Sequence, residues 1–414
     1  MGRDEEELLE VGGSSGRGWR ITGWALILVA VLVLGVLRVS AASRHGRATP
    51  VPTPSEAVTV VPARPSVRPW PVTVGACGAE TLLPVVSSTR PAERTGIRLL
   101  VGGERVRRVD FDSGLVSAST DEVVRPGEYA AVLSGDPVAA YATTLSCGET
   151  INYAMVRISV DHRLRVVRSL SPTESLLTDG NRVWVVSLAA DIADPYAAIT
   201  PVSGGRRVQL PAGFYPSAIV GDTLVGVQQP DPSAPPSWLA LVDVRTGRVR
   251  AKLEQHVDFL AAGAGQVFWT SGCDEDATFC TVRRQSLAGG DVTAFTVPGP
   301  VCCGVVSPDG TAVAFLLRRT TANSHRGGDQ LPTEDIAVLR IGTGRLDLVP
   351  GVELPAKSQP GLAFTTRDGW LVMALDAGTR TRLLAWRAGL RQPYETSAVP
   401  GVVHDPPTVV VTSH

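Results

Sequence analysis

Six cysteines are the residues of this sequence best suited to chemistry: Cys77, Cys147, Cys273, Cys280, Cys302 and Cys303. An even number favours disulfides and an oxidising compartment. Cys273 and Cys280 bracket a short segment between two predicted strands, where a cross-strand bridge would contribute roughly 2–3 kcal/mol through chain entropy. Cys77 and Cys147 are the natural second pair, joining the start of the domain to an early strand.

Cys302 and Cys303 are neighbours in the chain. A disulfide between them needs a distorted peptide, because adjacent residues of a strand point to opposite faces. Pairing with other cysteines therefore stays open. A zinc site is the rival interpretation, but there is no CxxC pair and no two histidines stand at ligand spacing. The sequence predicts neither a metal nor another cofactor.

Acidic residues cluster at Asp274, Glu275 and Asp276, on the tip of the loop between Cys273 and Cys280. Several carboxylates together could bind calcium. The alternating Asp-x-Asp-x-Asp-Gly pattern of a dedicated loop is absent, which favours a solvated turn and leaves these residues as candidates for recognition. The histidines are scattered, and the chain has no GxSxG, HExxH or P-loop motif. No catalytic residue is predicted.

The residues named above would be positioned by β-strands. A hairpin pattern, in which two β-rich runs flank a turn, recurs seven times along the chain. The turn centres lie near Gly103, His162, Gly205, Gly247, Gly290, Gly344 and Gly389. Their commonest spacing is near 43 residues, which is typical of a four-stranded propeller blade. The sequence therefore predicts an all-β fold, a β-propeller of four-stranded blades, with seven blades favoured over six or eight.

A polar turn followed by an apolar strand recurs between the hairpins. Copies begin at Asp179, Gly221, Gly263, Ser307 and Arg367, with a looser one at Arg125. Such strands are rich in Val, Leu, Phe and Trp, which indicates inner strands buried on both faces. The first hairpin lacks a preceding inner pair, whereas the segment from Gly401 has no hairpin after it. Pairing of the two ends of the domain would complete a blade and remove free edges.

Residues 307–315 read SPDGTAVAF and resemble the blade motif of TolB-like and WD-repeat-like propellers, in which a Ser-Pro-Asp-Gly turn introduces an inner strand. The Trp-Asp dipeptide of true WD repeats is absent. The resemblance implies a propeller from about residue 95 onward. It also implies binding of proteins or small ligands on a face or in the channel, without chemistry of its own. Tyr196, Tyr215 and Trp238 are predicted contact residues, with packing between blades as the alternative.

Residues 21–37 form a run of 17 without a charge, followed by Arg38, and we predict a transmembrane signal anchor over 21–39. A cleaved signal peptide is the alternative, since small residues follow the run. We expect 1–20 to be a short acidic cytoplasmic tail, 40–72 a Pro-rich extracytoplasmic stalk and 73–414 the propeller. Arginines flank both sides of the run, so this orientation depends on the cysteines and not on the positive-inside rule.

The charge balance of 39 basic and 40 acidic residues gives no electrostatic footprint for nucleic acid, which would need a clustered basic face. Together these features predict a non-enzymatic, single-pass protein of a bacterial plasma membrane. Its extracytoplasmic propeller would act as a scaffold or sensor and bind a protein, a cell-wall component or a small ligand. The alternative is an envelope hydrolase or lyase with carboxylates at one end of the propeller channel.

Overall fold

The computed structural model describes residues 72–74, 80–103, 105–118, 128–133, 139–146, 149–158, 164–171, 173–188, 196–229, 237–274, 278–319, 333–356, 358–400 and 408–412. All regular elements in these ranges are strands. They include no helix long and apolar enough to cross a membrane. The predicted acidic tail, the predicted span at 21–39 and nearly all of the predicted stalk lie outside them, and remain predictions.

The first three strands are short: β1 (Val72–Val74), β2 (Glu80–Leu82) and β3 (Val85–Val86). Sheet 1 contains β4 (Arg98–Val101), β5 (Arg107–Asp110) and β6 (Leu115–Ala118). Sheet 2 contains β7 (Glu128–Leu133), β8 (Ala139–Ser146), β9 (Glu149–Ile158) and β10 (Leu164–Ser169). Sheet 3 contains β11 (Glu174–Thr178), β12 (Val183–Ser187), β13 (Tyr196–Pro201) and β14 (Val208–Ala212).

The same pattern continues along the chain. Sheet 4 contains β15 (Phe214–Val220), β16 (Thr223–Gln228), β17 (Trp238–Asp243) and β18 (Val249–Gln255). Sheet 5 contains β19 (Asp258–Gly263), β20 (Gln266–Cys273), β21 (Cys280–Ser286) and β22 (Thr293–Val297). Sheet 6 contains β23 (Val301–Val306), β24 (Ala312–Arg319), β25 (Thr333–Arg340), β26 (Arg345–Leu348) and β27 (Val352–Pro355). Sheet 7 contains β28 (Gly361–Phe364), β29 (Leu371–Asp376), β30 (Arg380–Trp386), β31 (Tyr394–Glu395) and β32 (Val399–Pro400), and the last strand is β33 (Val409–Val411).

Each sheet is an antiparallel meander, and two strands from the ends of the domain complete sheets elsewhere. β33 pairs with β4, with Val410 opposite Leu100, and becomes the first strand of sheet 1. β3 pairs with β27 at the edge of sheet 6. The pairing of β33 with β4 joins the two ends of the domain, as the incomplete first and last copies of the repeat predict, whereas the pairing of β3 with β27 was not predicted.

The first strands of the sheets contact one another in chain order from β11 to β28, and β33 contacts both β28 and β7. The second strands are almost wholly buried, as in β16 and β29. Apolar side chains of neighbouring sheets form shared core clusters, such as the one that joins Ile199 and Phe214 of sheets 3 and 4. Sheets packed face to face around their first strands form a β-propeller.

Two copies of the repeat occupy positions in their sheets that differ from those predicted. The hairpin at Gly103 joins β4 and β5, the second and third strands of sheet 1, whereas the outer hairpin of that sheet turns at Gly114. The strand in the copy at Arg125 is β7, the first strand of sheet 2 and not the second. Both corrections arise because strand pairing across the chain, and not the local turn, decides the position of a strand in its sheet.

Candidate functional site

A disulfide joins Cys273 and Cys280 at the ends of β20 and β21, as predicted, with Cα atoms 3.9 Å apart. In the loop that it closes, the Asp274 carboxylate accepts hydrogen bonds from the backbone amides of Thr278 (2.5 Å) and Phe279 (3.0 Å). Glu275 and Asp276 lie outside the described residues, as do Cys77 and Cys147.

The three predicted contact aromatics occupy different positions. Tyr196 begins β13 and is 44% exposed, and Tyr215 on β15, the first strand of sheet 4, is 49% exposed. Trp238 begins β17 and is half-buried, with the Lys252 ammonium 5.5 Å from its ring centroid. Only the two tyrosines therefore offer large exposed faces.

Cys302 and Cys303 lie on β23, the first strand of sheet 6, as exposed free thiols. The pairing between β23 and β24 shifts between Cys302 and Val305, which places a bulge directly after Cys302. Cys303 adopts the left-handed conformation, with φ of 58°. The bulge and this φ bring the two Sγ atoms within 2.8 Å of each other. The local backbone thus supplies the distortion that a pair of adjacent cysteines requires.

The negative charge of Glu334 raises the pKa of both thiols. Glu334 is 3% exposed, and its Oε1 lies 3.5 Å from Nη2 of Arg318. No described residue gives its Oε2 a hydrogen-bond partner. The Cys302 thiol hydrogen-bonds to the Cys303 thiolate and lowers the pKa of Cys303 to about 7, against the raising effects of burial and of the Glu334 charge. The same hydrogen bond, burial and the negative charges of Cys303 and Glu334 raise the pKa of Cys302 far above its usual range.

A second feature, which we call the basic cleft, lies between the outer edges of sheets 3 and 4. It has a volume of about 930 Å³. Its charged residues are Arg206 and Arg207 from the β13–β14 turn and Arg245 and Arg248 from the β17–β18 turn. Tyr196 lines the same cleft.

At the floor of the basic cleft, the backbone of sheet 4 lies very close to the backbone of sheet 3. Gly247 in the β17–β18 turn has φ of 68°, and a Cβ atom there would lie 1.9 Å from the carbonyl oxygen of Gln209 in β14. Only glycine combines this φ with such an approach at low cost. The arginine-bearing turn of sheet 4 is therefore held directly against the outer strand of sheet 3.

The arginines of the basic cleft are largely without counter-charges. Arg245 lies 3.8 Å from the Asp222 carboxylate, while both side chains are well exposed. Within the described part of the chain, Arg206, Arg207 and Arg248 have no carboxylate partner, and no acidic residue lines the cleft. Like charges held in one concave site produce a positive potential that attracts anionic groups.

A second cavity, of about 480 Å³, lies beside the SPDG turn between sheets 6 and 7. Three of its four charged side chains, all except Asp368, already have partners. Arg340 donates to Asp347 at 2.8 Å, and Arg387 donates to Glu93 at 2.7 Å. Asp309 accepts hydrogen bonds from Ser307 and Thr311 of its own turn. This cavity therefore offers fewer free charges than the basic cleft.

The candidate residues found only in the structure are the arginines of the basic cleft. In the sequence, Arg206 and Arg207 lie in one outer hairpin turn, and Arg245 and Arg248 lie in the next. Turns at equivalent positions of consecutive blades lie close together, so basic residues in both could have predicted the cleft.

Solved structures to which this chain is similar include TolB and other β-propeller proteins, as the SPDG motif predicts. TolB from Acinetobacter baumannii is 15% identical over 74% of this chain and 78% of its own, with a TM-score of 0.40. The β-propeller domain of the trilobed protease from Pyrococcus furiosus is 10% identical over 65% of this chain and 86% of its own (TM-score 0.42). An oligogalacturonate lyase in complex with manganese is 12% identical over 80% of this chain and 96% of its own (TM-score 0.47).

No protein-family model matches the sequence, and the search of curated proteins found no match. A propeller fold by itself selects no activity, because function resides in sites carried by the fold.

Proposed function

We propose that this chain is a membrane-anchored propeller of seven blades, outside the cytoplasm, whose basic cleft has the non-enzymatic role of binding an acidic segment of a partner protein. The anchor and the orientation are supported by the uncharged run at 21–37, the Pro-rich segment after it and the disulfide between Cys273 and Cys280. The blade number is supported by the seven sheets of four or more strands in the described part of the chain.

The observation that carries the binding proposal is the basic cleft. Four arginines line one concave surface in a chain whose formal net charge is −1, so the charge is local and does not reflect overall composition. Carboxylates of a partner would pair with the guanidinium groups of Arg206, Arg207 and Arg248, which have no carboxylate partner among the described residues. Tyr196 adds an aromatic surface beside them, and Tyr and Arg dominate the energetics of many protein interfaces.

The test uses the full-length protein in detergent and a Glu-rich peptide as the probe. We expect binding that weakens steeply with salt, because the contacts are between exposed charges. The double variant Arg206→Glu and Arg207→Glu should weaken binding at least about tenfold, which corresponds to about 1.4 kcal/mol. The matched control reverses two exposed arginines outside the cleft, Arg367→Glu and Arg391→Glu, and should leave binding unchanged.

Further arms of the experiment separate other ligands and activities. Binding of an anionic polysaccharide but not of the Glu-rich peptide would contradict a protein partner and favour a cell-wall component. Equal weakening by both double variants would contradict a role for the cleft, because it would reflect net charge alone. Turnover of polysaccharides by the purified protein would favour the hydrolase or lyase alternative.

A further inference from the structure

We propose that Cys302 and Cys303 form a thiol–disulfide exchange site that acts on disulfide substrates, with Cys303 as the attacking thiol and Cys302 as the resolving thiol. The proposal is independent of the basic cleft, which lies between sheets 3 and 4, whereas the cysteines belong to sheet 6.

The backbone around the pair holds both sulfur atoms together. In a regular strand the two side chains would point to opposite faces. Here the bulge after Cys302 and the left-handed conformation of Cys303 place the Sγ atoms 2.8 Å apart. A non-glycine residue in this conformation costs about 1 kcal/mol. Strained backbone of this kind clusters at functional sites, and here it lies at two exposed thiols.

The strand that carries the pair is firmly positioned while the thiols stay accessible. The backbone of Gly304 packs against β19, where a Cβ atom would lie 3.1 Å from the Leu260 carbonyl oxygen and 3.2 Å from Cβ of Ala261. Both cysteines are nevertheless exposed. A substrate disulfide can therefore reach the sulfur atoms, while the neighbouring backbone keeps them in contact.

The reaction is balanced without a further oxidant, because the substrate disulfide is itself the oxidant. The Cys303 thiolate attacks one sulfur of R–S–S–R′, forms a mixed disulfide and expels R′S⁻, which takes up a proton. Cys302 then gives up its proton, attacks the Sγ of Cys303 and expels RS⁻, which is protonated in turn. The protein gains an intramolecular disulfide, and the substrate is reduced to two thiols. The reverse reaction transfers the disulfide to a dithiol substrate.

The assignment of the two roles follows from the surroundings of the thiols. The hydrogen bond from Cys302 stabilises the thiolate of Cys303, whose pKa is lowered to about 7, so this residue is the better nucleophile near neutral pH. The buried Glu334 carboxylate, with one oxygen lacking a partner among the described residues, stands close enough to raise the pKa of Cys302.

The first experiment uses the reduced full-length protein and an aromatic disulfide, Ellman's reagent. Trypsin cleavage after Arg284 and Arg318 isolates Cys302 and Cys303 from Cys273 and Cys280, so mass spectrometry reports on this pair alone. In the wild-type protein we expect a peptide lighter by two hydrogen atoms, with no adduct. Cys302→Ser should retain one adduct on Cys303. Two adducts on the wild-type peptide, or no reaction, would overturn the proposal.

Reaction rates test the role of Cys303 separately. A thiol of pKa about 7 has roughly fiftyfold more thiolate at pH 7 than one of pKa 9, and its lower intrinsic nucleophilicity reduces the advantage to about sixfold. In Cys302→Ser the serine hydroxyl replaces the thiol as the hydrogen-bond donor to the Cys303 thiolate, whereas Cys303→Ser removes that thiolate. We therefore expect Cys303→Ser to react about sixfold more slowly than Cys302→Ser at pH 7. Equal rates for these two variants, each with wild-type circular dichroism, would refute the assignment of roles.

The source of the natural disulfide is distinguished by two further substrates. Oxidation of the pair by glutathione disulfide would identify a small-molecule substrate, and oxidation by a disulfide-bonded protein such as scrambled ribonuclease would identify a protein substrate. Failure with both would overturn the proposal. Loss of peptide binding by the basic cleft would leave these results unaffected, so the two proposals can fail separately.

Discussion

Replacing Gly247 by alanine tests whether the close approach at the floor of the basic cleft joins sheets 3 and 4. Gly247 has φ of 68°, and its missing Cβ would lie 1.9 Å from the Gln209 carbonyl oxygen. Alanine in the left-handed region costs about 1–2 kcal/mol. The clash adds about 1–3 kcal/mol, because backbone must move to relieve it. We expect Gly247→Ala to lower the free energy of unfolding by about 2–5 kcal/mol.

The chain provides a matched control in the same sheet. Gly221 has φ of 58°, and no heavy atom would lie within 4 Å of an added Cβ. Gly221→Ala should therefore carry only the conformational cost of about 1–2 kcal/mol. The difference between the two variants measures the contact with Gln209 alone, since the two turns have similar φ values.

Urea unfolding, followed by tryptophan fluorescence, gives the free energy of unfolding of each variant. Titration with the Glu-rich peptide gives the affinity of the cleft for the peptide. Moving the β17–β18 turn away from β14 separates the two arginine pairs, so Gly247→Ala should also weaken peptide binding, whereas Gly221→Ala should not. Equal unfolding midpoints for the two variants would refute the argument that backbone contact at Gly247 holds these sheets together.

Three other substitutions test separate features. Replacing Cys273 and Cys280 by serine should lower stability by roughly 2–3 kcal/mol in urea unfolding, and an unchanged midpoint would contradict the loop-entropy argument. The hydrogen bond with Arg250 is the main reason why the pKa of Asp243 is lowered to about 2. The Asp243 carboxylate therefore stabilises the fold fully above its ordinary pKa of 3.8, and this stabilisation is lost as the pH falls towards 2. Asp243→Asn should therefore lower stability at pH 6 and flatten its dependence between pH 4 and pH 2 in acid titrations, and a variant as acid-sensitive as the wild type would contradict this. Cys303→Gly should raise stability by about 1 kcal/mol, because glycine relieves the left-handed strain, and a destabilised variant would refute the strain argument.

Much of the fold could be predicted from turn chemistry. The Ser307 and Gly221 copies of the polar turn each lie between the first and second strands of a sheet, because Asp-Gly and Gly-Asp pairs favour tight hairpins locally. The copy at Gly103 could not be placed this way. Its hairpin and the next one each turn at a glycine, Gly103 and Gly114, and their position in the sheet is decided by pairing with β33, which lies about 300 residues away.

The candidate sites were less predictable than the fold. The disulfide between Cys273 and Cys280 follows from their spacing, because both flank one hairpin loop. The contact between Cys302 and Cys303 depends on a bulge, and the bulge depends on the register between β23 and β24 and on the packing of Gly304 against β19. No local pattern specifies those tertiary relations.

The pairing of β33 with β4 has a consequence for how the protein is made. Sheet 1 obtains its first strand only from Val409–Val411, so the ring cannot close until this strand has left the ribosome and reached the domain. The earlier sheets can form as they emerge from the ribosome. Until β33 arrives they would have unpaired strand edges, which favour association with other chains. If the chain crosses a membrane during synthesis, the propeller completes its fold only on the far side. A truncation that removes these three residues would leave most of the core in place and expose the edge of β4 that β33 covers in the complete domain.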